Sequence, residues 1–323
     1  MTEAVNANAA AAKKDFRLAD YAPTYGALAA LVFLVAANVV LTPNFASFDN
    51  LRNILVQATP TMLVAIGMTF VIATGGIDLS VGSIMAIASA VAANALDYGA
   101  VAALAAGLVV ATALGAFNGA LIAAFKIQPI IITLALLISG RGIAQVISSG
   151  GQIMEFSSPV FEFLGKGVVA GIPFQIVLLV LAVALAIFFL RSTIFGRYVI
   201  AVGGNEEAAR LSGIRVNRTK ITVYAISGFL AGLAGLIYTA RLGASDASKV
   251  GEGIELDAIA ATVVGGTALT GGRATVIGTI IGALIMQVIT TSIVMNDYKF
   301  SYSLVIKAAI ILFAVYIQRP KIN

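Results

Sequence analysis

The chain has 323 residues, of which 60% are hydrophobic and only 11% charged, and a mean hydropathy of +1.01. Apolar runs close to the length of a bilayer recur throughout, so composition alone indicates a polytopic membrane protein. The formal net charge is +5, with no Cys and no His. This excludes disulfides, thiolate or imidazole metal sites, Cys or His nucleophiles and His proton relays, and the basic residues fall in loops, not in the aromatic-laced patch that nucleic-acid binding requires.

In chain order, residues 1–26 read as a polar N-terminal tail carrying Lys13, Lys14 and Arg17. Its apolar continuation runs into a second span without a small-residue cleavage site, so the tail reads as cytoplasmic and not as a cleaved leader. Ten apolar runs follow: Ala27 to Leu41, Asn53 to Thr74, Leu79 to Ala95, Ala100 to Phe125, Pro129 to Ser148, Val168 to Leu190, Ile221 to Ala240, Ala258 to Thr270, Ala274 to Ile293 and Ser301 to Ile317. With the N-terminus inside, thirteen Lys and Arg lie in inner loops and five in outer loops, which places both termini in the cytoplasm. The resulting division is a tail (1–26), a first transmembrane half (27–190), an inner loop (191–220), a second half (221–317) and a short cytoplasmic tail (318–323).

The inner loop is the longest polar interruption and holds six of the twenty Lys and Arg. Within it Asn205 is placed to cap a short helix, Glu206 and Glu207 suit its first turn, Arg210 and Leu211 continue it, and Gly213 closes it. A short exposed helix at a membrane surface reads as a docking element; the alternative is a solvated connection.

The two halves look related. Gly76-Ile77-Asp78-Leu79 recurs as Gly253-Ile254-Glu255-Leu256, and Gly115 to Ile122 recurs as Gly278 to Ile285 in the pattern GxxxGALI. Five spans per half makes such a repeat an inverted one, the arrangement of many transporters. The third span of each half is short or broken by glycine, a pointer to a substrate path. Asp78 and Ser80 at one, Glu255 and Asp257 at the other, read as helix caps or as substrate contacts. The GxxxG pairs read as packing. Arg141, with Gln145 one turn on, and Lys307 lie within spans, where an ionisable group is a functional candidate or a snorkelling side chain. Asn38, Gln57, Asn118 and Gln287 are either substrate hydrogen-bonders or interhelical glue.

Three stretches, TGGIDLSVGS (Thr74 to Ser83), FGRYVIAVGGNEEAARLSGI (Phe195 to Ile214) and ELDAIAATVVGGTALTGG (Glu255 to Gly272), resemble in order and spacing the permease subunits of ribose-type sugar ABC importers. KIQP and SGRGIAQ lean toward the galactofuranose-type members, and branched-chain amino acid permeases share the architecture. The resemblance implies a permease of the bacterial inner membrane that works as a dimer, two ATPase domains on the cytoplasmic side and a periplasmic sugar-binding protein outside. It makes the helix at Asn205 to Gly213 a coupling helix, and puts ATP and Mg on the partner. The chain itself has no GxxxxGK[ST]. Asp78, Ser80, Arg141, Gln145, Glu255 and Asp257 are then expected in gating or along the path, with no catalytic or metal-binding residue. An ion-gradient-driven transporter is the alternative, and a membrane-embedded enzyme has little chemistry to draw on.

Overall fold

The computed structural model describes residues 22–155 and 158–318. The tail residues Lys13, Lys14 and Arg17, and those from 319 onward, lie outside the described residues. Among the described residues, thirteen α-helices carry nearly all of the regular structure. They are α1 (Ala22–Leu41), α2 (Phe48–Ala73), α3 (Val81–Asn94), α4 (Ala100–Phe125), α5 (Pro129–Ile147), α6 (Pro159–Lys166), α7 (Phe174–Ser192), α8 (Ile194–Gly204), α9 (Glu206–Leu211), α10 (Val216–Leu242), α11 (Ile254–Val264), α12 (Val276–Met295) and α13 (Ser301–Gln318). Seven of them, α1, α2, α4, α5, α7, α10 and α12, are long and apolar enough to cross a membrane. α3 and α11 have only 14 and 11 residues.

α2 is the central element. From Ala58 to Ala73 it has no charged residue and nearly every residue is buried, the signature of a helix enclosed by others. α10, α12, α11, α7 and α8 surround it. Pro60 interrupts its hydrogen-bond ladder by removing the N–H that would meet the Val56 carbonyl. Arg241, in the last turn of α10 and not in a loop as its sequence context suggests, donates to that carbonyl at 3.3 Å and lies 5.5 Å over the Tyr238 ring.

Helix association in lipid depends on close packing, and the buried stripe of α4 is correspondingly small: Ala103, Gly107, Ala111, Gly115 and Gly119. It crosses α10, where a Cβ on Gly115 would overlap the Tyr224 carbonyl and one on Gly119 would come within 2.8 Å of the Ile221 Cα. Gly278 and Gly282 on α12 are equally tight, against Gly265 just past the end of α11 and against Ala261 within it. The packing reading of both GxxxG pairs is therefore correct. The short helices also have matching neighbours: α3 packs on α4, α5 and α10, and α11 on α12, α13 and α2.

Three boundaries differ from those read in the sequence. The apolar run from Val168 begins as a hairpin, β2 (Val168–Val169) with β3 (Ile172–Pro173), because Ala170 and Gly171 both take positive φ and close a tight two-residue turn. Residues 191–220 are not an extended loop: α8, α9 and the first turns of α10 occupy most of them. The second short helix starts at Ile254, so Glu255 and Asp257 belong to its first turn, and it stops at Gly265, with Gly266 at φ 95°. On the face opposite α9, β1 (Met154–Glu155) pairs antiparallel with β4 (Ala244–Ser245), and α6 docks Phe161, Leu164 and Gly165 against its neighbours.

Candidate functional site

Helix α9 has just six residues, too few to persist by propensity, so its ends and partners hold it. The Asn205 side chain accepts from the Ala208 N–H at 2.9 Å. At the other end the Gly213 N–H donates to the Arg210 carbonyl and the Ile214 N–H to that of Ala209, a Schellman closure requiring the left-handed Gly213, φ 81°. Ala209 packs with Val202 of α8, Val216 of α10 and Ile214 in a small apolar cluster. Glu206 receives Arg210 at 3.1 Å and Lys220 at 2.6 Å. Burial opposes ionisation of the Glu206 carboxyl, but the hydrogen bonds and charges of Lys220 and Arg210 outweigh it and hold the group below its usual range. Leu211 is 81% exposed at the tip. All six residues assigned here from sequence, Asn205, Glu206, Glu207, Arg210, Leu211 and Gly213, thus belong to one capped, cross-braced unit.

Beside α9 opens a cleft of about 440 Å³ lined by Glu206, Glu207, Arg210, Lys220 and Lys126, and by Thr74, Gly75, Gly76 and Tyr224. Gly75 of its wall also belongs to a junction of glycine backbone. A Cβ on Gly203, near the end of α8, would overlap the Ala73 carbonyl and lie 2.6 Å from the Gly272 N. One on Gly271 would lie 2.7 Å from the Gly203 carbonyl oxygen and 2.9 Å from the Gly75 N. The Gly272 N–H donates to the Ala73 carbonyl at 3.0 Å. α8 and this junction are absent from the sequence reading. The one signal for them is the tripeptide Thr-Gly-Gly, present at 74–76 and again at 270–272.

The six residues assigned to gating or the path divide among separate places. Asp78 is fully buried. Its Oδ1 accepts from the Ser80 N–H at 3.0 Å and the Ser80 hydroxyl at 2.6 Å, and its Oδ2 from the Ser227 hydroxyl of α10 at 2.8 Å. Asn118 of α4 donates to the Ser80 Oγ at 2.9 Å. Ser80 makes no side-chain cap on α3, so the capping expectation is replaced by a turn ahead of the helix that joins α3, α4 and α10. Asn118, which could have been a substrate contact, is glue here. Gln57 and Gln287 meet each other at 3.2 Å, and Asn38 donates to the Leu34 carbonyl of its own helix.

Arg141 does not snorkel to solvent. Its Nη1 donates to the carbonyls of Ala247 at 2.9 Å and Val250 at 2.7 Å, and Gln145 donates to the Ser248 hydroxyl at 3.3 Å. α5 therefore fastens the segment that leads into α11. Gly253 holds the N-cap position of α11 without a side-chain bond, and Glu255 stands in the first turn, where its carboxylate meets its own backbone N–H. The Glu255 Oε2 lies against the open side of Gly82 in α3, where a Cβ would come within 2.7 Å of it. Asp257 accepts from Lys307 at 2.8 Å, with the lysine side chain 8% exposed and the aspartate 29%. The snorkelling alternative for Lys307 also gives way, to an ion pair joining α11 to α13. Asp257 lines a cavity of about 150 Å³ with Gln57, Thr61, Tyr238, Lys249 and Glu252.

Residues 50–315 match the family model described as branched-chain amino acid transport system / permease component. The ribose import permease protein RbsC of Escherichia coli (strain K12) is 41% identical over 91% of this chain and 93% of its own length. RbsC of Bacillus subtilis (strain 168) is 42% identical over 92% of both chains, and the galactofuranose transporter permease protein YtfT of E. coli (strain K12) is 38% identical over 91% and 89%. In fold, the chain is similar to a solved ABC transporter described as of metal-chelate type, in an inward-facing conformation. The TM-score is 0.50 at 12% identity, covering 91% of this chain and 98% of that one. With seven bilayer-length helices among its described residues, the chain is a multi-pass membrane protein and belongs to the branched-chain amino acid transport system / permease component family.

Proposed function

We propose that this chain is the membrane-spanning permease of an ATP-driven importer for a monosaccharide of the ribose or galactofuranose kind. α9 docks on a separate ATPase, where ATP and Mg are bound, and a periplasmic sugar-binding protein delivers the substrate to the opposite face. Ten membrane segments in two inverted halves of five, residues 27–190 and 221–317, flank the α8–α9 connection, with tails 1–26 and 318–323 in the cytoplasm. Two copies form the path. The ten include the short helices α3 and α11 together with α13, and their matching neighbours support the inverted repeat. The bias of Lys and Arg toward the α9 face supports the orientation.

The observation that carries this reading is the construction of α9. A six-residue helix with a cap at each end, an ion-paired first turn and Leu211 at its exposed tip is a preorganised contact surface, not a solvated connection. Asp78, Ser80, Arg141, Gln145, Glu255 and Asp257 serve as gating and positioning groups: each is engaged with, or set against, a neighbouring element at or near a helix break. Hydrolysis belongs to the partner, since this chain carries no phosphate-binding GxxxxGK[ST].

The test is co-purification of the tagged chain from its native membrane, compared with a variant whose Asn205–Gly213 segment is a Gly/Ser linker. An ATPase retained by the intact chain and lost from the variant is expected; its absence from both refutes the reading. An ion-gradient-driven transporter is a second reading, favoured by one observation, the buried Asp78 with only neutral hydrogen-bond donors. Uptake that stops on adding a protonophore while ATP is held constant would select it.

A further inference from the structure

The glycine junction connects α8, and through it α9, to both short helices; where Gly203 meets Ala73 and Gly271–Gly272 it does so backbone to backbone, beside a stacked Phe195–Phe70 contact between α8 and α2. α8, α9 and the start of α10 share the Val202, Ala209 and Val216 cluster and the Glu206–Lys220 pair, so displacement of α9 carries α8 with it instead of being absorbed at Asn205. Near its end, Gly203 bears on two segments at once. One is Ala73, the last residue of α2, which leads through Gly75, Gly76 and Asp78 into α3. The other is Gly271–Gly272, the link between α11 and α12. Side chains at such a contact would add rotamers and a compressible layer. Backbone against backbone, joined by the Gly272 N–H to Ala73 carbonyl bond, has neither.

We infer that Gly203, Gly271 and Gly272 are positioning residues that transmit the motion of α9 as a rigid contact to both broken-helix segments of the permease. This rests on α9 being the ATPase docking helix, and it adds the route by which docking reaches the path. Two neighbouring glycines separate this role from a general need for glycine. A Cβ on Gly203 overlaps the Ala73 carbonyl, whereas one on Gly204 meets nothing within 4 Å.

The experiment uses the full chain reconstituted in liposomes with its ATPase and its loaded binding protein, measuring sugar taken up per ATP hydrolysed. Gly203→Ala, which forces the contact apart, should lower that ratio about tenfold while the ATPase still co-purifies, and Gly204→Ala should leave it unchanged. Equal ratios for Gly203→Ala and the unmodified chain would overturn the inference. A second measurement leaves the three glycines in place. The chain has no cysteine, a Cβ on Gly204 meets nothing within 4 Å, and Thr270 is exposed just ahead of the Gly271–Gly272 link, so Gly204→Cys with Thr270→Cys carries one spin label on each side of the junction. A contact that moves as one body keeps the label separation the same in the nucleotide-free and ATP-bound complexes. A separation that differs between the two states would mean that the junction opens during the cycle, which contradicts rigid transmission. Failure of the docking reading itself would show earlier, as an unmodified chain that retains no ATPase.

Discussion

Breaking the Asp257–Lys307 pair should be asymmetric. A sealed ion pair that loses one partner costs about 3–5 kcal/mol, because the remaining charge is stranded. The two residues are not equally sealed: the Lys307 side chain is 8% exposed and that of Asp257 29%. Asp257→Asn leaves an ammonium with almost no access to water, and about 3 kcal/mol is expected. Lys307→Met leaves a carboxylate that turns toward the neighbouring cavity, and about 1–2 kcal/mol is expected. The double variant removes both charges and should cost little more than Lys307→Met alone, giving a coupling energy of about 2–3 kcal/mol. Unfolding in mixed micelles with increasing SDS, followed by far-UV circular dichroism, measures all four corners of the cycle. Additive costs, or Lys307→Met as the worse single change, would refute the assignment of a buried pair holding α11 to α13.

Three further outcomes follow from the same geometry. Asp78→Ala strands one N–H and two hydroxyls, a cost of about 3 kcal/mol, while Asp78→Asn keeps the Ser80 bonds and should cost about 1 kcal/mol; equal losses in the same unfolding assay would mean that the charge, not the hydrogen bonding, holds the turn. Because Lys220 and Arg210 hold the Glu206 carboxyl below its ordinary value of 4.5, its bracing of α9 is fully present above that value and is lost as pH falls through the lowered one. Hydrogen exchange of residues 206–211 across that acid range should show this loss in the parent chain and no such step in Glu206→Gln. Arg141→Ala releases the Ala247 and Val250 carbonyls, so amide exchange over 246–253 should rise about tenfold while α9 is unaffected.

The features legible in the sequence were those written in local composition. Long apolar runs gave most of the spans, the Gly213 stop and Asn205 cap gave α9, and GxxxG marked Gly115, Gly119, Gly278 and Gly282 as close-packing positions without naming the helices they meet. Other features depend on what meets across the bundle. Val168 to Pro173 is as apolar as a span, and the turn at Ala170–Gly171 is a backbone conformation that hydropathy does not register. α8 follows α7 after one residue, so in sequence it merges with a polar interruption. Asp78 finds Ser227 on a helix far along the chain, and Arg141 and Lys307 find a carbonyl pair and a carboxylate. From sequence, each remained a choice between roles because its partner was unknown.

The two faces of the molecule are joined by different materials. Opposite α9, the seam is polar: the β1–β4 ladder, the Ser89, Thr239 and Ser245 hydroxyl trio and the Arg141 and Gln145 bonds. Water can take over every one of these partners as the seam parts, so wetting that side offsets much of the cost of opening it. At the α9 face Gly203 packs backbone to backbone on Ala73 and Gly271 and the Phe195 ring stacks on Phe70, and water entering there recovers little of that packing. The molecule thus has one zipper that solvent can undo and one dry bearing that it cannot, and this difference alone biases which end yields when a hydrated partner presses on it.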